Sequence, residues 1–221
     1  MADNLPTNFP IPPESSIVSY SYTNVAEGTG IIKFYGYASA DSSGTTYHLG
    51  KNAVYSNITD SGDSTLTSSY VKRQDLDFDL SPFNTPQTIG GTATLNICMR
   101  ASGDHTSVSG KFIALIKKVS GGETTLVTLT SEDPVASGNV GAGDGWKVAN
   151  IKGTIPNTHF KIGDQLRLTI EVYQKISGAG NGWVAIGLDP QNRDGDYITP
   201  SSDDPTSTTK LEFYCPFRIN L

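Results

Sequence analysis

Along most of this chain apolar and polar residues alternate with a period of two, the spacing at which successive strand side chains point to opposite faces of a sheet. The run 165–172 keeps it strictly, with Leu166, Leu168, Ile170 and Val172 on one side and Gln165, Arg167, Thr169 and Glu171 on the other. In 75–80, Leu76, Phe78 and Leu80 oppose Asp75, Asp77 and Asp79, and in 93–100 the odd positions Ala93, Leu95, Ile97 and Met99 are the apolar ones. The terminal run sets Leu211, Phe213, Cys215, Phe217, Ile219 and Leu221 on one face. Each pattern predicts a strand with one dry and one wet side. Pro216 has no amide to donate, so an edge or a bulge is expected there.

Turn formers punctuate these runs. Ser120-Gly121-Gly122-Glu123, between 111–119 and 124–129, predicts a hairpin, and the Gly-rich 177–182 predicts a second joining the 165–175 strand to 183–188. Glu27-Gly28-Thr29-Gly30 predicts a third, between 19–23 and 31–37. No stretch of roughly twelve residues holds a helical period. The expected fold is therefore all-β: a two-sheet antiparallel β-sandwich, jelly-roll-like. The C-terminal strand is expected to pair with a strand far back in sequence and close one domain over 17–221. Residues 1–16 hold Pro6, Pro10, Pro12 and Pro13 among polar residues, which suits an extended N-terminal arm.

Composition agrees: 23 Gly, 12 Pro and only 17% charged residues in 221 favour turns and strands over helices. The net charge of −6, with no basic cluster beyond Lys72-Arg73 and Lys117-Lys118, weighs against nucleic acid as a partner. No apolar run approaches the roughly 20 residues that span a bilayer, and the first residues show no basic segment followed by an apolar one. The expectation is synthesis in the cytoplasm with no membrane partner. Cys98 and Cys215, each inside an alternating apolar run, are expected as two buried thiols.

Catalytic signatures are sparse. His48, His105 and His159 lack a second ligand at metal spacing, and neither Gly-x-Ser-x-Gly nor a phosphate-binding Gly-rich loop occurs. Asp75, Asp77 and Asp79 with Glu171 form a set of outward acids. Paired carboxylates are what a glycosidase needs, but a solvated sheet face is the commoner use of such residues, and no enzyme is expected. Asp189, Asp194 and Asp196 lie in an acid-rich loop that offers oxygen ligands to a structural Ca2+; a turn closed by Asx hydrogen bonds is the alternative and the favoured reading. Trp146 and Trp183, next to Gly-rich loops, offer rings for stacking on a sugar, with packing at the core edge as the plainer role.

The segments 30–36, 76–80, 88–93, 160–168 and 187–190 together resemble the β-sandwich virion proteins of tailed viruses of bacteria and archaea, the decoration, capsid-associated and tail-associated jelly rolls. That resemblance implies a non-enzymatic structural virion protein acting through protein–protein contacts. Its partners would be copies of itself, with a trimer favoured, and a major capsid or tail protein. The arm would strap a neighbouring subunit. A carbohydrate-binding module or receptor-binding head, with a glycan as partner, is the other function the sequence supports.

Overall fold

The computed structural model describes residues 29–41, 44–52, 59–60, 67–103, 107–130, 135–136, 147–177, 182–188 and 211–218. The arm at 1–16, the hairpin around Glu27, the acid-rich loop with Asp189, Asp194 and Asp196, Trp146 and His105 lie outside them. The described residues contain twelve strands: β1 Thr29–Asp41, β2 Gly44–Gly50, β3 Thr59–Asp60, β4 Thr67–Asp79, β5 Gln87–Gly103, β6 Ser107–Val119, β7 Glu123–Thr130, β8 Val135–Ala136, β9 Lys147–Phe160, β10 Gln165–Ser177, β11 Gly182–Ile186 and β12 Glu212–Arg218.

Ten of these follow each other as β3-β11-β5-β12-β1-β2-β4-β10-β6-β7, with β9 added beside β5 and β8 beside β6. The path folds into two layers, one built on β9-β5-β12-β1 and the other on β4-β10-β6-β7. Strand β1 serves both halves of the path, pairing with β12 through residues 29–35 and with β2 through 35–41. The alternating faces meet between the layers: Phe34, Ile89, Leu95, Ile97 and Phe213 from one and Phe78, Phe112, Ile116, Leu168 and Ile170 from the other are almost wholly buried in a single core. Phe34 stacks on Phe213 with ring centroids 6.4 Å apart, and Phe83 meets Phe160 edge-on at 5.3 Å. This is a β-sandwich of the jelly-roll type.

Two expectations change in detail, and the choice of edge or bulge at Pro216 is decided for the bulge. Most pairings are antiparallel, but β2 and β4 run parallel through Tyr47–Phe78 and His48–Asp79. Strands β10 and β11 do not pair with each other: both edges of β10 are occupied, by β4 and β6, and β11 pairs in the other layer with β5 and β3. Strand β12 does pair far back in sequence, but it lies between β1 and β5, so Pro216 is not on an edge. It is tolerated because the register against β5 shifts between Tyr214 and Phe217, the bulge that a missing amide demands.

That bulge faces a second one. Strand β5 shifts register against β9 between Ile89 and Gly91, and Gly91 has φ of +122°, with a built Cβ only 3.3 Å from Pro216 Cβ. Its neighbour Gly90 lies so close to β9 that a Cβ would stand 2.2 Å from Asn157 Oδ1 and 2.9 Å from the Asn157 Cα. At the opposite seam Gly153 of β9 lies under Leu129 of β7, where a Cβ would come within 2.1 Å of Leu129 Cδ2. Both thiols, Cys98 and Cys215, are free and buried, and burial pushes Cys98 up to about 12.

A turn between β9 and β10 holds the end of β4. Phe83 N donates to Asp164 O at 2.9 Å and Gly163 N to Phe83 O at 2.9 Å. The buried Asp164 carboxylate receives Lys118 Nζ at 2.9 Å and Lys161 N at 2.8 Å. Hydrogen bonds from Lys118, Ser120 and the Lys161 amide hold it far below the usual carboxylate range. A carboxyl depressed in the folded state stabilises at pH above its unfolded value, and that stability is lost as pH falls through the folded one. The wild-type protein should therefore lose stability below about pH 4. Asp164→Asn should be weaker at neutral pH and show a flatter acid limb in urea denaturation. Gly90→Ala should lower stability by about 1–3 kcal/mol, read as a lower urea midpoint with unchanged slope, because the Asn157 backbone must move.

Candidate polar sheet face

The outward side chains of β4 and β10 are brought into register by antiparallel pairing. Arg167 lies opposite Asp79, Thr169 opposite Asp77 and Glu171 opposite Asp75; beyond a register shift, Tyr173 lies opposite Lys72. On the far side of β10 the same residues meet Lys117, Leu115, Ile113 and Lys111 of β6. The four acids expected to point outward are thus neighbours on one face, although roughly 90 positions separate β4 from β10 in sequence.

Each acid has a hydrogen-bonded partner. Arg167 grips Asp79 with two parallel bonds, Nε to Oδ1 at 2.7 Å and Nη2 to Oδ2 at 2.8 Å, the bidentate geometry a planar guanidinium favours. Its Nη1 also donates to Asp77 Oδ2 at 2.9 Å and to Glu123 of β7. The carboxylates, that of Asp79 foremost, hold the guanidinium above its ordinary value. Glu123 accepts from Lys117 at 2.9 Å, and that bond, with Arg167 beside it, draws its carboxyl below the usual range. Thr169, wholly buried although it points outward, donates its hydroxyl to Asp77.

At the other end Lys72 bridges two acids, Asp75 and Glu171, at 3.0 Å each, and these hold its ammonium above its ordinary value. Glu171 also accepts the Tyr173 hydroxyl at 2.9 Å, which raises that phenol. Lys111 lies between two tyrosine rings, 4.8 Å from the centroid of Tyr70 and 5.3 Å from that of Tyr173, a cation–π clasp. The face is therefore a strip of charges and rings joined by ion pairs, hydrogen bonds and cation–π contacts.

A sandwich glycosidase needs one carboxyl kept protonated and a second kept free, by environments that differ. Here Lys72 bridges Asp75 and Glu171, and Arg167 bridges Asp77 and Asp79, so each cation is shared by two acids of the strip. Trp183, the other described candidate, is half-buried on β11 opposite Ser102, in the other layer. His48 stands at the edge of the strip, hydrogen-bonded to Ser39, and His159 offers its backbone carbonyl to Lys118. Among the described residues no group of three or more His, Cys, Asp or Glu is placed to hold a metal ion.

Alternation put Arg167 on the same outward face as the acids, but it did not single out Lys72, Lys111, Tyr70 and Tyr173, which complete the site. Arg167 and Tyr173 occupy the outward phase of the 165–175 run, so that signal was present. Their relation to β4 depends on a pairing that no local pattern encodes.

No family model and no curated protein matches the chain. Solved structures do. A CocE/NonD family hydrolase from Staphylococcus aureus is 14% identical with a TM-score of 0.47, covering 96% of this chain and 38% of its own. An α-amino acid ester hydrolase is 11% identical with a TM-score of 0.47, covering 84% and 36%. The infectious bursal disease virus VP2 subviral particle is 10% identical with a TM-score of 0.31, covering 74% and 37%. The chain thus spans less than two fifths of the hydrolases' length. These findings correct the expectation of a non-enzymatic structural virion protein. The stronger likenesses are to hydrolases, the capsid likeness is weaker, and neither supports decoration of a particle. At such scores none assigns an activity to this chain.

Replacing Arg167 with Gln leaves Asp77, Asp79 and Glu123 without their shared cation and should cost about 1–3 kcal/mol at pH 7. The loss should shrink as pH falls to 4, because the Glu123 carboxyl, held below its usual range by Lys117 and Arg167, contributes less there. Urea midpoints of both proteins at the two pH values check this.

Proposed function

We propose that this chain is a carbohydrate-recognition module that binds along the outer face of β4-β10-β6 and does not itself turn over the ligand. The observation that carries the reading is the Tyr70–Lys111–Tyr173 clasp set beside the Lys72–Glu171–Asp75 bridge on one sheet face. Sugars are recognised by ring faces packed against their C–H edges and by planar charged or amide groups that hydrogen-bond pairs of hydroxyls; both kinds are present here, already ordered. Ordering them in advance avoids the entropy of fixing long side chains on binding. The ties of the acids to Lys72 and Arg167 support binding in place of catalysis.

The intact chain, applied to a glycan array in calcium-containing buffer, should select a set of neutral glycans. Tyr173→Ala should weaken the best of them about tenfold or more, as loss of an aromatic anchor does, and Glu171→Gln less so. Failure of the intact chain to bind any glycan would sink the proposal.

A further inference from the structure

The outermost row of the polar face does not stop at β4. His48 of β2 is the register partner of Asp79 on one side and of Tyr37 of β1 on the other. Tyr37, His48, Asp79, Arg167, Lys117 and Thr125 therefore form one line across six strands. At the Tyr37 end of this line the surface opens into a cavity of about 290 Å3.

One wall of the cavity is aromatic. The rings of Tyr37 and His48 lie 5.3 Å apart at 34°, and Ser39 Oγ, 3.0 Å from His48 Nε2, fixes the rotation of the imidazole. The segment 80–82 also lines the cavity. It is pinned at both ends, Leu80 N donating to Leu166 O at 3.0 Å, Gln165 Nε2 to Leu80 O at 2.7 Å and Phe83 N to Asp164 O at 2.9 Å. Asp79 and Gln165 also line the space. With Nε2 of Gln165 committed to Leu80, its Oε1 is left as an acceptor, and Asp79 keeps lone pairs beyond those Arg167 uses.

We infer that this cavity is a terminal subsite for one neutral sugar ring of a glycan lying along the face, an inference that rests on the carbohydrate reading above. The volume lies just below the ~300–1,000 Å3 typical of small-ligand sites, which suits a single ring. Asp79 is already held by two bonds from Arg167: an anion would meet the carboxylate, and a cation would have to compete with a bidentate arginine. The Tyr37 and His48 rings supply a stacking surface, while Asp79 and Gln165 accept from sugar hydroxyls. The continuous row connects the cavity to the rest of the face.

Calorimetric titration of the full chain with neutral gluco-, manno- and galacto-configured oligosaccharides of graded length tests this, together with the imidazole resonances of His48. The His48 signals should shift on ligand addition, a readout that needs no variant. Tyr37→Ala should weaken the tightest oligosaccharide about tenfold and erase the advantage of its last unit, whereas Tyr37→Phe, which keeps the ring, should stay near wild type. If Tyr37→Ala and Gln165→Ala bind as wild type and the His48 signals stay fixed while Tyr173→Ala loses affinity, the subsite is wrong and the face reading stands. If the wild-type chain binds none of the series, both readings fall.

Discussion

Two residue pairs, Tyr47 with Phe78 and His48 with Asp79, join the strand path from β3 to β2 with the path from β4 to β7. Their register sets the parity of everything beyond them, because in a sheet a slip of one residue moves every side chain to the opposite face. As it stands, Ala38, Tyr47, Phe78, Leu168, Ile116 and Val127 form one row, and Tyr37, His48, Asp79, Arg167, Lys117 and Thr125 form the next. The first row lies on the core and the second on the outside. Tyr47 packs on Phe78 with centroids 5.2 Å apart, which ties the short pairing to the hydrophobic interior. Slipping β2 by one position would set His48 against Phe78, so the core itself enforces the alignment that builds the polar face.

The same coupling of core to surface recurs at the other end of the sandwich. A proline inside a central strand would orphan a carbonyl, and the chain accommodates it with one bulge at Pro216 and a second at Gly90 and Gly91 in the neighbouring strand. Strand β12 can then keep Phe213 and Phe217 inward on both sides of the defect. Near the polar face the Lys118–Asp164 pair pins the turn that supports residues 80–83. Core packing and site geometry are thus two consequences of one strand arrangement.

Much of this was legible in the sequence. Period-two alternation in 75–80, 93–100, 165–172 and 211–217 identified strands and their inward faces, and the Gly-rich 120–123 turn marked its hairpin. What stayed hidden was which strands pair. Residues 177–182 look like a hairpin because Gly, Asn and Ser form tight turns, yet the free hydrogen-bonding edge that β11 needs is on β5 and not on β10. Arg167 shows the same limit: its outward position is readable, while its three acid partners come from two strands 44 to 90 positions away. The cavity beside Tyr37 depends on a parallel pairing only two residues long, for which the sequence carries no signal.

Backbone through-space contacts in a solution spectrum test this arrangement most directly. Strong contacts should link Tyr37 with His48, His48 with Asp79, and Asp79 with Arg167. Contacts joining His48 to Phe78 or Leu80 in place of Asp79 would break the continuous outer row and contradict the account of the face and the cavity built on it.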